Sequence, residues 1–303
     1  MALLTKQMSC KPTSRPLADK PATTGAGLGI GLRSQHAAEF IEKKPALDWL
    51  EILADNYLDA GGVEHRHLQR IREDYPFALH SVGMSIGGSA KLDRDYLRQL
   101  KALGERYACQ DFSDHLCFTS VGESQMHDLL PLPRNEETIR HVAQRIRDIQ
   151  DFLGQSILVE NVSCYLQYKN SDIDEAGFLN AVCTEADCGL LLDLNNLYVN
   201  QQNHGLMAAE IIAGIDRRHI REIHLGGFED CGHYLLDAHN HPVADPVWDL
   251  YETLIQELPQ VASLIEWDND LPPLSKLLAE ANKARCLSER SGDADIRRKP
   301  APS

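Results

Sequence analysis

The chain has no long apolar run. No stretch approaches the roughly 20 apolar residues of a membrane-spanning helix. Its first residues, Met-Ala-Leu-Leu-Thr-Lys, are apolar for too short a distance to be a secretory signal, so no membrane partner is expected. Paired cysteines are lacking as well. The eight thiols stand at 10, 109, 117, 164, 183, 188, 231 and 286, too scattered for a zinc ribbon, and read as reduced thiols of a cytoplasmic protein. No run of Lys or Arg forms a basic groove; Arg297, Arg298 and Lys299 lie near the end of the chain. With 45 acidic residues against 30 basic, the formal charge is −15, which repels phosphate backbones and excludes a nucleic-acid partner. Aromatics are few, but 43% of the 303 residues are hydrophobic, enough for one barrel-sized domain or two small ones.

What is present is an alternation. Residues 1–24 and 288–303 carry no apolar period and read as a disordered arm and tail. Between them, over 25–287, lie eight short apolar runs: 27–32, 47–52, 77–82, 112–118, 156–160, 188–193, 220–224 and 262–266, each the length of a buried strand. Helical patterns separate most of them. In 136–153, Ile139, Val142, Ile146, Ile149 and Phe152 form one stripe, with Asn135 to cap it and Gly154 to end it. Similar stripes run through 92–107, from Pro246 to Leu258, and from Pro272-Pro273 to about Leu287. Eight strands alternating with helices predict a (β/α)8 TIM barrel, an α/β fold in one domain. A doubly wound sheet is the alternative, but its glycine turn follows the first strand, whereas Gly25, Gly27, Gly29 and Gly31 lie before or inside it.

A barrel places its site at the C-terminal strand ends. Strand two ends at Glu51, with Asn56 beyond; strand three delivers His80; strand four, Asp114 and His115; strand five, Glu160-Asn161; strand six, Asp193 followed by Asn195 and Asn196. Strand seven ends in His224. The loop after it carries His233, Asp237, His239 and His241, and in an extended segment Asp237 and His239 would point the same way. Strand eight ends in Glu266, with Asp268 and Asp270 behind, read as solvated loop acids. No strand is read as ending in Lys or Arg. Singly, each histidine reads as a hydrogen-bonded barrel residue and each acid as a structural ion pair. Together the carboxylates would repel one another, and bound cations would neutralise them. The donor count suits two or three metals sharing carboxylates. Without thiolates, open Fe, Mn or Zn sites fit better than closed structural zinc.

These segments carry a resemblance: Trp-Leu-Glu-Ile-Leu-Ala-Asp-Asn-Tyr at 49–57, Leu-His-Ser-Val-Gly-Met-Ser-Ile-Gly-Gly at 79–88, Ser-Asp-His-Leu at 113–116, Val-Glu-Asn at 159–161, Leu-Leu-Leu-Asp-Leu-Asn-Asn-Leu-Tyr-Val-Asn at 190–200, Ile-His-Leu-Gly-Gly at 223–227, Asp-Ala-His at 237–239 and Ile-Glu-Trp-Asp at 265–268. Over about 25–285 the chain resembles the multinuclear non-heme iron-dependent oxidative enzymes, the family of the methanobactin biosynthesis oxidase. These are TIM barrels related in fold to xylose isomerase and endonuclease IV. The resemblance implies metal ligation by His80, His115, Glu160, Asp193, Asn196, His224, Asp237, His239 and Glu266, with Glu160, Asp193, His224 and Glu266 at the centre of the chemistry. It implies two or three iron ions of mixed Fe(II)/Fe(III) state, O2 as co-substrate, and oxidation of cysteine in a ribosomally made precursor peptide to an oxazolone–thioamide or thiooxazole. A separate peptide-recognition protein is the implied partner. In endonuclease IV-like barrels the position of Asn196 is normally His; the neutral amide here implies a more weakly held third metal.

Asn161, Asn195 and Asp114 could orient ligand imidazoles, or simply bond the strand ends. Ser81 and the Gly87-Gly88 pair could admit a peptide backbone, or form an ordinary turn. Cys117, Cys164 and Cys231 lie near the expected mouth and read as fillers more readily than as redox groups, and Tyr198 and Trp267 as packing. Two other readings stand beside the oxidase: a zinc or manganese hydrolase or isomerase on the same barrel, which would want a basic groove or a catalytic Lys, and a metal-binding scaffold without turnover.

Overall fold

The computed structural model describes residues 27–298 apart from 59–60, 110 and 122–123, so the expected arm at 1–24 and the last five residues lie outside the described part. Eight strands close into one barrel: β1 Leu28–Gly31, β2 Trp49–Leu53, β3 Phe77–Ser81, β4 Phe112–His115, β5 Leu158–Glu160, β6 Gly189–Asp193, β7 Ile220–Leu225 and β8 Ala262–Ile265. Each pairs in parallel with its neighbours, and β1 bonds both β2 and β8. Closure excludes the doubly wound alternative. A strand covered on both faces reads as an unbroken apolar run, and β6 is buried throughout.

Nine helices surround the strands among the described residues. Helix α4, Glu136–Leu153, has the bounds its pattern predicts: Asn135 Oδ1 accepts from the Thr138 amide at 2.9 Å, and Gly154 ends it at φ 82°. Helix α3, Arg94–Tyr107, is capped by Asp93, and α8, Asp245–Ile255, carries Pro246 in its first turn, one residue after its start. Helix α9 spans Leu274–Arg298, beyond Leu287 where the apolar repeat stops. Among the described residues no helix is long and apolar enough to cross a membrane.

The run 112–118 is not a single strand. β4 stops at His115, where the Cys117 amide turns back to the His115 carbonyl at 2.9 Å. A hairpin of Phe118–Val121 and Ser124–Leu130 follows. The apolar content conceals this turn because Leu116 and Cys117 are themselves buried. A second small hairpin, Glu229–Asp230 with Leu235–Leu236, follows β7.

The barrel interior is layered. Trp49, Ala78, Ala262 and Leu264 form their own buried cluster. Gly29 stands opposite Trp49 in register, and a Cβ there would lie 2.6 Å from the indole, so glycine makes room for that floor. Because side chains alternate along a strand, the residues two further on face the same way. These are Glu51, His80 and Glu266, and they make the next layer.

Candidate metal centre

His80 lies one residue before the end of β3 and His115 ends β4, with their ring centroids 4.7 Å apart. Glu160, the last residue of β5, places Oε2 3.4 Å from His80 Nε2 and 3.3 Å from His115 Nε2. His80 is turned by Ser113, whose Oγ lies 2.8 Å from Nδ1 and leaves Nε2 to face Glu160. Donor atoms of His80, His115 and Glu160 can converge on one ion. A second group, Glu160, Asp193, His224 and Glu266, meets the same condition and shares Glu160 with the first. All six residues are buried.

Asp193 does two jobs. It ends β6 and caps α6, Leu194–His204, where one oxygen accepts from the Asn196 amide at 2.6 Å. Its other oxygen is buried without a hydrogen-bond partner. His224 lies between Glu266, 3.0 Å from Nδ1, and two carboxylates beneath it: Glu222 at 3.1 Å and Glu51 at 3.4 Å from Nε2. Those two and His224 form a third possible group, and His239, Glu266 and Asp268 a fourth.

The loop after β7 brings in His239 and Asp237 by a route other than the extended one expected. His239 has φ +43°, in the left-handed region, and the turn puts its Nε2 2.8 Å from Asp237 Oδ1 and its Nδ1 3.3 Å from Glu266 Oε2. The glycines of His-Leu-Gly-Gly permit this. A Cβ on Gly226 would come within 2.6 Å of the His239 ring, and one on Gly227 within 2.1 Å of the His241 carbonyl. Asp237 joins none of the four groups; its oxygens are engaged by Asn195 and His239 on one side and Ser163 on the other. Asn196 donates Nδ2 to the Asn161 carbonyl and leaves Oδ1 buried without a partner. Of the four histidines at 224–241, His233 and His241 are exposed and stand outside the cluster.

The electrostatics are those of a crowded acidic cavity. Burial pushes the Glu160 carboxyl well above its usual range despite His115 and His224, and pushes Asp193 and Glu222 each up to about 7. Burial also opposes a charge on His224 and His239, yet the surrounding carboxylates hold both well above the usual imidazole value. His115 rises to about 9 because Glu160 and Asp114 outweigh burial. Oxygens of Glu51, Glu160, Asp193 and Asn196 are buried without hydrogen bonds, an arrangement that costs free energy unless a cation accepts their lone pairs. The residues therefore fit metal ions, with hard and borderline donors and no sulfur.

Several residues do work the sequence did not reveal. Ser113 and Glu222 hold imidazoles, yet one is an unremarkable strand hydroxyl and the other precedes a strand end by two. Ser113→Ala is expected to weaken divalent-cation binding roughly 10- to 100-fold with little change in melting temperature, as chelator competition would read. Arg33 corrects the expectation that no cation stands at a strand end. It follows β1 closely, is 11% exposed and pairs with Asp268, which is therefore not a merely solvated acid.

Asp114 accepts from the Ser81 hydroxyl and the Met84 and His115 amides, so it fixes loops; the nearest imidazole nitrogen, on His115, is 3.8 Å away. Asn161 bonds the Asp193 backbone at both N–H and carbonyl, while Asn195 orients Asp237. Ser81 is buried, and the space beside Gly87 and Gly88 is filled by Leu132 and Ser85, so they are packing and turn residues. Cys117 is buried and its thiol held far above the usual range by that burial; burial lifts Cys164 to about 12, so both stay protonated. Tyr198 packs on Phe228, and Trp267 lies under Lys276.

Fold and site together define a TIM barrel with a mouth able to hold metal. The solved endonuclease IV from Thermus thermophilus superposes with a TM-score of 0.57 at 14% identity, over 87% of this chain and 99% of that one. D-psicose 3-epimerase from Clostridium cellulolyticum, solved with D-tagatose, gives 0.56 at 13%, over 88% and 99%. At such identities the likeness is one of fold. The chain belongs to the family described as RiPP precursor modification enzyme MbnB/TglH/ChrH, which matches residues 27–289. A UPF0276 protein of Acaryochloris marina is 47% identical over 258 residues, 85% of this chain and 93% of its own. Another, of Caulobacter vibrioides, is 41% identical over 260 residues, 86% and 93%.

Proposed function

We propose that the protein is a multinuclear iron-dependent oxidase that uses O2 to modify cysteine in a ribosomally made precursor peptide. The observation that carries this is Glu160: its buried carboxylate places Oε2 3.4 Å from His80 Nε2 and 3.3 Å from His115 Nε2, and the same residue belongs to the group with Asp193, His224 and Glu266. A carboxylate shared in that way suits two neighbouring ions better than one. His80, His115 and Glu160 would hold one, and Glu160, Asp193, His224 and Glu266 another. His239, Asp237 and Asn196 are the candidates for a third, held more weakly because one donor is a neutral amide. Bound iron would supply thiolate and O2 binding and the redox chemistry that no side chain has.

The chain's own residues supply placement. Ser113 fixes the His80 ring, Glu222 and Glu51 fix His224 from below, and Asn195 with Ser163 aims Asp237. The floor of Trp49, Ala78, Ala262 and Leu264 closes the barrel beneath, so substrate would reach the cluster from the mouth. The family, which acts on peptide precursors, supports the substrate class, and the excess of acidic residues disfavours nucleic acid. A separate protein that presents the peptide and a cytoplasmic setting belong to the same reading.

Co-expression with a Cys-containing peptide encoded beside the gene, followed by mass spectrometry, tests it. The expected result is an O2-dependent mass loss confined to cysteine-bearing fragments. An unmodified peptide, together with zinc-dependent phosphodiester hydrolysis or sugar isomerisation, would overturn it.

A further inference from the structure

The first strand holds a feature the metal centre does not explain. Gly31 ends β1 and pairs in register with Glu51. A Cβ on Gly31 would lie 2.9 Å from Arg33 Nη1, so the guanidinium folds back over the glycine and does not extend into solvent. Nη1 donates to the Leu32 carbonyl at 3.3 Å, and Nη2 is paired with Asp268. Asp268 is itself tied to the metal mouth. Its amide donates to the His239 carbonyl at 2.7 Å, and its Oδ2 is 3.7 Å from His239 Nδ1. The charges that act on Arg33 are Asp268, Glu266 and Glu51, and burial of the side chain opposes them. Arginine does not lose its proton in proteins, so this is a permanent positive charge set beside groups that would hold metal.

We propose that Arg33 is a positioning residue that tunes the charge of the metal centre: its guanidinium, seated over Gly31, offsets part of the negative field of Glu51, Glu266 and Asp268 and so limits how tightly the mouth holds cations, trivalent ions more than divalent. This rests on the reading of the mouth as a cation site. The physics is Coulombic. A fixed charge interacts with a trivalent ion half as strongly again as with a divalent one, and in a partly buried cavity the field is little screened. The device would favour the lower oxidation state of a redox metal. It would also keep Asp268 Oδ1 engaged with arginine, leaving Oδ2 to face His239.

The test uses the full chain with redox-inert probes, Zn2+ and Ga3+, and affinities read by chelator competition, so activity is not needed. Arg33→Gln is expected to bind Zn2+ about tenfold tighter or more, and Ga3+ tighter by a larger factor. Arg33→Lys, which keeps the charge, should stay within about threefold of the parent. Gly31→Ala offers an independent variant should Arg33→Gln fail to fold. The added methyl meets the far end of a flexible side chain, so the guanidinium should be displaced while the backbone stays, and Zn2+ binding should tighten in the same direction. Equal or weaker binding by Arg33→Gln and Gly31→Ala, or an Arg33→Lys shift as large as that of Arg33→Gln, would overturn the proposal while leaving the metal centre intact. A parent chain that binds neither probe would overturn the metal centre itself, and this inference with it.

Discussion

Glu160→Gln is expected to separate stability from function. Gln keeps the shape but removes the one charge common to both donor groups. The loss of bound iron should exceed the roughly 10- to 100-fold affinity cost typical of outer hydrogen-bond partners, and peptide oxidation should fall to background. The metal-free protein should nevertheless melt at the same temperature or a few degrees higher, because the wild-type carboxyl is buried with an oxygen that accepts no hydrogen bond. Differential scanning calorimetry on chelator-treated protein, beside iron analysis, gives both readouts. A variant that binds iron like the parent, or one that melts far lower without metal, would mean that Glu160 is a structural acid.

The second large effect is the coupling of pH, metal and stability. Burial lifts Asp193 and Glu222 to about 7, whereas an unfolded carboxyl titrates near about 4. Between those values the folded, metal-free chain holds protons that the unfolded chain has released. Its stability therefore falls as pH rises from about 4 to about 7. His224 and His239 act in the same direction at higher pH, because their folded values lie well above the usual imidazole. Glu266 and Asp237 are held low and act oppositely, but only in the acid range. Cations need the deprotonated donors, so metal should rescue the loss where it is greatest. With divalent ion at about 100 times its Kd, the melting temperature at pH 8 should rise by roughly 5–10 °C, and at pH 5 far less. Equal shifts at both pH values would show that the buried donors do not hold the ion.

The barrel was legible because its strands are buried on both faces and its helices on one, which gives continuous runs and three-four stripes; α4 matches its pattern from Glu136 to Leu153. The site was legible wherever a donor ends a strand: His80, His115, Glu160, Asp193, His224 and Glu266 gather as that rule requires. The rule is silent about groups that act from elsewhere. Glu222 lies one inward-facing step below His224, and Ser113 beside His80, and neither type of residue stands out from ordinary strand chemistry. Arg33 escaped because its role depends on a side chain folding back over Gly31, which spacing does not encode. Asp237 and His239 converge through a left-handed turn at His239, made possible by Gly226, and not through the alternation along a strand that their spacing suggests. The break after His115 was hidden because buried Leu116 and Cys117 continue the apolar run through the turn.

The central claim is that cations occupy the mouth on either side of Glu160. Anomalous diffraction at the iron edge, from crystals grown anaerobically with ferrous salt, tests it most directly. The account predicts one peak among His80, His115 and Glu160 and a second among Glu160, Asp193, His224 and Glu266. An iron-free mouth, or one peak remote from Glu160, would contradict it.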